Sequence, residues 1–271
     1  MFTFETLSMT VDDRVARVEL NRPDKANSLD KTMWRELGQV FEELDDLSQV
    51  RAVVLGGAGK HFSAGIDLTY LASVRQELAA LSKGRQQEHL MHLIGSLQDA
   101  VSSIERCRKP VLAAIQGLCI GAGVDIAAAC DMRYATSTTR FSVKEVDLAI
   151  VADVGSLQRL PAIVGEGIAR ELAFTGRIFK GEQALSMGFV NQLFKDEAEL
   201  DEGVMAVATE LAEKSPLTLR GIKETLNYSR DHSVAEGLRY VAMRNSAMLL
   251  SQDLEEALAA FMEKRKPEYG D

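Results

Sequence analysis

The chain has 271 residues, 46% hydrophobic and 26% charged, with 20 Gly and 5 Pro, a composition that excludes disordered, collagenous and fibrous proteins. Its 31 Lys and Arg stand against 40 Asp and Glu, a formal net charge of −9, so it has no generic electrostatic attraction for nucleic acid. The length suffices to bury a sizeable core. Cys107, Cys119 and Cys130 are an odd number without a CxxC pair, and they read as reduced, buried thiols.

In chain order, residues 6–20 alternate around Asp12-Asp13 and predict a β-hairpin. NRPDKANSLD follows as a loop of turn formers, in which Ser28 or Asp30 caps a helix running to about residue 48, with Trp34, Leu37, Val40, Phe41 and Leu44 at helical spacing. RAVVLGG predicts a short apolar strand, AGKHFSAGID a glycine-bearing loop, and residues 68–106 mostly helix. KPVLAAIQG predicts a second buried strand, and GAGVDIAAACD a glycine turn running into a helix of small residues. Residues 111–130 are apolar enough to suggest a membrane span. Gln116, Asp125 and three glycines oppose it, an Asp near the bilayer centre costing about 3 kcal/mol.

MRYATSTTRFSVKEV supplies a further pair of short strands, and the alternation of strand and helix predicts an α/β fold whose sheet is covered on both faces. Beyond residues 195–200 only amphipathic helical patterns occur. An α/β catalytic region over 1–197 and a helical region over 198–271 are therefore expected. The apolar faces of the latter suit oligomerisation, and suit packing on the body equally. MFTFETLSMTVDDRVARVEL reads as neither a secretory signal nor a transit peptide, and KPEYGD as no peroxisomal tripeptide, so a cytoplasmic, bacterial location is expected.

Two glycine loops follow strands, Ser63-Ala64-Gly65-Ile66-Asp67 and Gly121-Ala122-Gly123-Val124-Asp125. Such glycines serve tight turns, or else let a ligand approach main-chain N–H groups that suit a developing oxyanion. Gly59-Lys60 lacks the remainder of a P-loop, and the second loop lacks the third glycine of the dinucleotide fingerprint. Three acids fall in apolar or mixed settings. Asp125 lies in GVDIAAAC, Glu145 in FSVKEV and Asp153 after LAIVA. Asp153 is either a functional acid or the N-cap of a helix beginning near Gly155, and Glu145 is either functional or plain surface charge. With no DxD pattern or histidine among them, no metal site is expected. His89 and His92 lack the HExxH spacing, and neither a GxSxG serine nor a base-paired cysteine supports covalent catalysis.

Taken together, NRPDKANSL, FSAGID, KPVLAAIQGLCIGAGVDIAAACDMRYAT, GSLQRLPAIVG and TGRIFKGEQALSMGFVN resemble the enoyl-CoA hydratase/isomerase (crotonase) superfamily in order and over nearly the whole chain. The resemblance implies a spiral of repeated ββα units followed by a helical trimerisation region. It implies a homotrimer, commonly paired into a hexamer, and an acyl-CoA substrate. No separate cofactor is implied, coenzyme A being part of the substrate. It further implies an oxyanion hole from the N–H groups of Ile66 and Ala122, the latter where relatives usually carry Gly. Lys25, Ala64 and Asp67 would meet the coenzyme, with Phe261 and Lys264 reaching it from a neighbouring subunit.

The acids resemble one branch. Asp125, the VKEVD around Glu145 and the ADVGSLQRLP around Asp153 look like the pattern of Δ3,5-Δ2,4-dienoyl-CoA isomerases, whereas hydratases carry Glu at the first two positions and usually Gly at the third. Moving two conjugated double bonds takes a proton from C2 and returns one at C6, which calls for two acids in opposite protonation states. Glu145 at C2 and Asp153 at C6, or the reverse, are expected to share this work, with Asp125 tuning the pair. The alternatives are an enoyl-CoA hydratase and a non-catalytic acyl-CoA- or RNA-binding member of the same fold.

Overall fold

The computed structural model describes residues 3–270; Met1, Phe2 and Asp271, at the ends of the two expected regions, lie outside the described residues. Strands β1 (Leu7–Asp12) and β2 (Val15–Leu20) form the expected antiparallel hairpin, with Asp12 opposite Val15. Both turn residues, Asp13 and Arg14, have positive φ, as a two-residue hairpin connection requires. Helix α1 (Lys31–Asp46) is capped by Asp30 rather than Ser28, the Asp30 carboxylate accepting the Met33 N–H at 2.9 Å.

There follow β3 (Ala52–Gly57), α2 (Leu68–Ala79), α3 (Lys83–Arg106), β4 (Val111–Ile115), β5 (Leu118–Ile120), α4 (Ala122–Ala129), β6 (Met132–Thr136) and β7 (Arg140–Ser142). A 3₁₀ turn over Glu145–Leu148 leads to α5 (Ser156–Val164), α6 (Glu166–Thr175), β8 (Phe179–Lys180), α7 (Gly181–Ser186) and β9 (Gln192–Phe194). The chain ends in α8 (Glu197–Ala212), α9 (Pro216–Arg230), α10 (Val234–Met248) and α11 (Gln252–Glu263).

The main sheet has the order β1-β2-β3-β4-β6-β9, parallel from β2 onward, and a small sheet has the order β5-β7-β8. The strands read from MRYATSTTRFSVKEV thus do not pair with each other: β6 joins the large sheet and β7 the small one. After β3 and β4 the chain crosses a second layer, through the bridge of Ser63 to Cys119 and then through β5. After β6 it does so through β7. Each crossing is followed by helix, which is the repeated ββα spiral. β5 escapes the sequence pattern because three residues are too few to show alternation.

Alternation within β4 explains the layers. Val111, Ala113 and Ile115 face a core shared with Leu37, Phe41, Val101, Ile104 and Val124, while Leu112 and Ala114 face Leu200, Val204 and Ala208 of α8. The change to all-helical elements near residue 197 is therefore one of element type; packing runs across it, since α8 closes the second face of the sheet. Further along, Lys223 of α9 is buried, its ammonium donating to the Ile104 and Lys109 carbonyls and to Asp131 at 2.7 Å, which fastens the tail to the end of α3. Cys107, Cys119 and Cys130 are buried free thiols. Among the described residues no helix is long and apolar enough to cross a membrane.

Candidate active site

The first glycine loop is set by Asn27, which is fully buried with a left-handed backbone that Asn tolerates better than most residues. Its side-chain amide donates to the Ala58 and His61 carbonyls at 2.9 and 2.7 Å and accepts the Arg22 N–H at 2.9 Å. Its own carbonyl accepts the Ser63 hydroxyl, whose oxygen accepts the Gly65 N–H. Gly65 has φ +88, and a Cβ there would lie 2.7 Å from the Ile120 carbonyl oxygen. Glycine is required for the two loops to lie against each other.

The main-chain bonds around this contact leave two donors over. Leu29 takes the neighbours of Ile66, through Leu29 N–H to Gly65 O and Asp67 N–H to Leu29 O, so among the described residues the Ile66 N–H meets no acceptor. Ala122 is the first residue of α4, where the helix offers its N–H no carbonyl. Both residues line one cavity of about 250 Å³, with Trp34, Leu97, Gly121, Glu145 and Asp153 also in its wall. Two unpaired N–H groups on adjoining loops, one at a helix N-terminus, can hold an oxygen that gains negative charge.

Glu145 opens the 3₁₀ turn after β7, and a Cβ on Gly121 (φ +52) would lie 3.1 Å from its Oε1. Its carboxylate therefore stands over the residue preceding Ala122. Glu145 Oε2 is buried without a hydrogen-bond partner among the described residues. Burial, and then the nearby charges of Asp125 and Asp153, push Glu145 up to about 7. Asp153 is half-buried and lines the same cavity, and burial raises its carboxyl too. It does not cap α5: the capping position is Gly155, and the first helical N–H, that of Ser156, is taken by Asp125.

Asp125 has a different place from the other two. It is fully buried on α4, one oxygen accepting the Ser156 N–H and the other lacking a partner among the described residues. Burial pushes it up to about 6, against the Ser156 bonds and the Arg159 charge, which pull it down. The three acids are thus brought close enough to feel one another, with Asp125 behind the cavity wall and Glu145 and Asp153 in it. Among the described residues no three His, Cys, Asp or Glu side chains converge to hold a metal ion.

The residues expected at the coenzyme are scattered in the single chain. Ala64 lines the cavity, but Lys25 is an exposed member of the turn at Pro23–Lys25. Asp67 caps α2 by accepting the Thr69 N–H and pairs with Arg22 at 3.0 Å. Burial opposes the charge of Asp67, but these bonds hold its carboxyl below the usual range. Phe261 and Lys264 are exposed on and just after α11. Trp34, which the helical pattern assigns to the core alone, also lines the cavity, its indole N–H buried without an acceptor among the described residues. Leu97 and Leu148 complete apolar walls, and nothing in their local sequence sets them apart from ordinary helix and turn residues.

A sequence model described as "Enoyl-CoA hydratase/isomerase" matches residues 10–271. The chain is 48% identical over 268 residues to the peroxisomal Delta(3,5)-Delta(2,4)-dienoyl-CoA isomerase of Arabidopsis thaliana, covering 98% of this chain and 96% of that one. It is 43% identical to the mitochondrial Delta(3,5)-Delta(2,4)-dienoyl-CoA isomerase of Homo sapiens, covering 97% of this chain and 81% of that one. Among solved structures, a putative enoyl-CoA hydratase from Streptomyces coelicolor A3(2) superposes with a TM-score of 0.91 at 29% identity, covering 99% of this chain and 95% of that one. An enoyl-CoA hydratase from Bacillus anthracis gives 0.89 at 30% identity, over 98% and 99%. The spiral fold, the paired glycine loops and this near-complete match lead to one conclusion: the chain belongs to the enoyl-CoA hydratase/isomerase family.

Proposed function

We propose that this protein is a Δ3,5-Δ2,4-dienoyl-CoA isomerase of unsaturated fatty acid oxidation. The observation that carries the reading is the presence of two carboxyl groups, Glu145 and Asp153, in one cavity with two unpaired main-chain donors. The thioester oxygen takes the N–H groups of Ile66 and Ala122. Glu145, over Gly121 and so beside this hole, is the base at C2, the carbon next to the thioester. It removes a C2 proton, and the electron pair forms C2=C3. The C3=C4 pair moves to C4=C5, and the C5=C6 pair takes a proton from the Asp153 carboxyl at C6. The two oxyanion donors stabilise the dienolate character that develops between these events. Asp125 holds the start of α5 and raises Glu145, a positioning role. A hydratase reading has less support: relatives named hydratases from Bacillus subtilis and Clostridium acetobutylicum are 34% and 33% identical, against 48% for the plant isomerase.

The substrate is an acyl-CoA, with Lys25, Ala64 and Asp67 assigned to the coenzyme, and the chemistry asks for no further cofactor. Exposed Leu226, Val234, Leu238, Phe261 and Met262 on the tail support assembly into a homotrimer or a pair of trimers, which would bring Phe261 and Lys264 to a neighbour's site. The free thiols fit a reducing compartment, for which the cytoplasm is our assignment; the plant and human relatives are named peroxisomal and mitochondrial. The test is an ultraviolet assay with a 3,5-dienoyl-CoA beside hydration of crotonyl-CoA. The diene should be converted, and Asp153→Asn should lower its rate by roughly 10²–10⁴. Hydration alone, or full diene activity in Asp153→Asn, overturns the reading.

A further inference from the structure

A two-carboxyl isomerisation leaves the enzyme in the wrong protonation state. Glu145 ends each turnover with the C2 proton and Asp153 ends it without the proton given to C6. The next turnover needs both reversed. Asp153 is placed for this in a way Glu145 is not, because it also lines a second cavity of about 320 Å³, next to the first. Where the substrate cavity is walled mostly by apolar side chains, the walls of this one carry Gln98, Ser102, Glu105, Gln158 and Arg159. These groups are ordered: Arg159 donates to Ser102 Oγ at 3.2 Å and to Glu105 at 2.9 Å, and Gln98 donates to the Asp153 carbonyl at 2.7 Å. Its rim residues Gln158 and Asp231 are exposed, so it opens at the surface. A polar cavity of this size holds several waters with partners for each.

We infer that this polar cavity is the water-filled route by which Asp153 recovers its proton from solvent between turnovers, an inference that rests on the isomerase reading above. The Asp153 carboxylate takes a proton from a cavity water, and the proton released from Glu145 to solvent after product leaves neutralises the hydroxide, so no net proton is consumed. The competing route is internal, from Glu145 through Asp125 to Asp153. Asp125 lines neither cavity, and one of its oxygens is already committed to the Ser156 N–H.

Isomerisation in D2O, quenched at low conversion, separates the routes. Solvent recovery places close to one deuterium at C6 of each product molecule, whereas an internal relay carries the C2 protium there; protium at C6 overturns the inference. Ser102→Leu and, at the exposed rim, Gln158→Leu narrow the cavity without touching the reacting groups. With enzyme in excess their first turnover should stay within about twofold of the wild type, while steady-state turnover falls by roughly fivefold or more and is restored by a small buffer acid such as imidazolium. Unchanged steady-state turnover in both folded variants also overturns it. If the wild-type enzyme forms no 2,4-diene at all, the isomerase reading itself has failed, and the inference falls with it.

Discussion

Replacing Asp125 by Asn removes a buried negative charge while leaving an oxygen that can still accept the Ser156 N–H. Glu145 is carried from its ordinary 4.5 to about 7, with burial the largest cause and the Asp125 charge the next. Asp125 therefore contributes less than burial does, and each pH unit of its contribution corresponds to about 1.4 kcal/mol. As the base, Glu145 must be ionised, so kcat/KM for the diene rises with pH through the value belonging to the coupled acids. In Asp125→Asn this acidic limb should move down by about one unit, so that activity at pH 6, relative to the plateau, increases a few-fold. A pH series of initial rates in the ultraviolet assay reads it directly. A limb that stays in place, or moves to higher pH, would refute the claim that Asp125 raises Glu145 by its charge.

Ala122→Pro removes one oxyanion donor: proline is tolerated at the first position of a helix, yet it has no N–H to offer the cavity that Ala122 lines. Turnover should fall by roughly 10²–10³ with little change in Tm. Lys223→Met removes a buried ammonium that serves two carbonyls and the solvent-exposed Asp131, and should cost about 1–3 kcal/mol, lowering Tm by roughly 2–5 °C in thermal unfolding. Stability should also depend on pH through Asp125. Its carboxyl is raised from 3.8 to about 6 in the fold, so its contribution is fully present below 3.8 and is lost as pH rises through about 6. Between pH 4 and 7, urea titrations should show the wild type losing about 2 kcal/mol more than Asp125→Asn.

Much of the spiral is written locally. Alternation in residues 6–20 specifies the hairpin, the continuous apolar runs AVVLGG and VLAAI specify strands buried on both faces, and Asp30 starts α1 by a bond only three residues long. The glycine loops and the three acids are visible as well, because glycine after a strand and a carboxylate in an apolar helix each break the surrounding pattern. What these residues do to one another is not local. β6 and β7 are neighbours in sequence and belong to different sheets. Lys223 sits in an amphipathic helix yet is buried against α3, and Trp34 serves core and cavity together. Whether Asp153 capped a helix or faced a cavity was decided by Asp125, some thirty residues away, taking the Ser156 N–H in its stead. Hydrophobic periodicity reports which face of an element is buried, so the sequence by itself determined the longer elements, the faces they bury and the candidate chemistry. Desolvation, charge coupling and the meeting of Ile66 with Ala122 depend on distances between chain segments far apart in sequence, and only the tertiary structure could decide them.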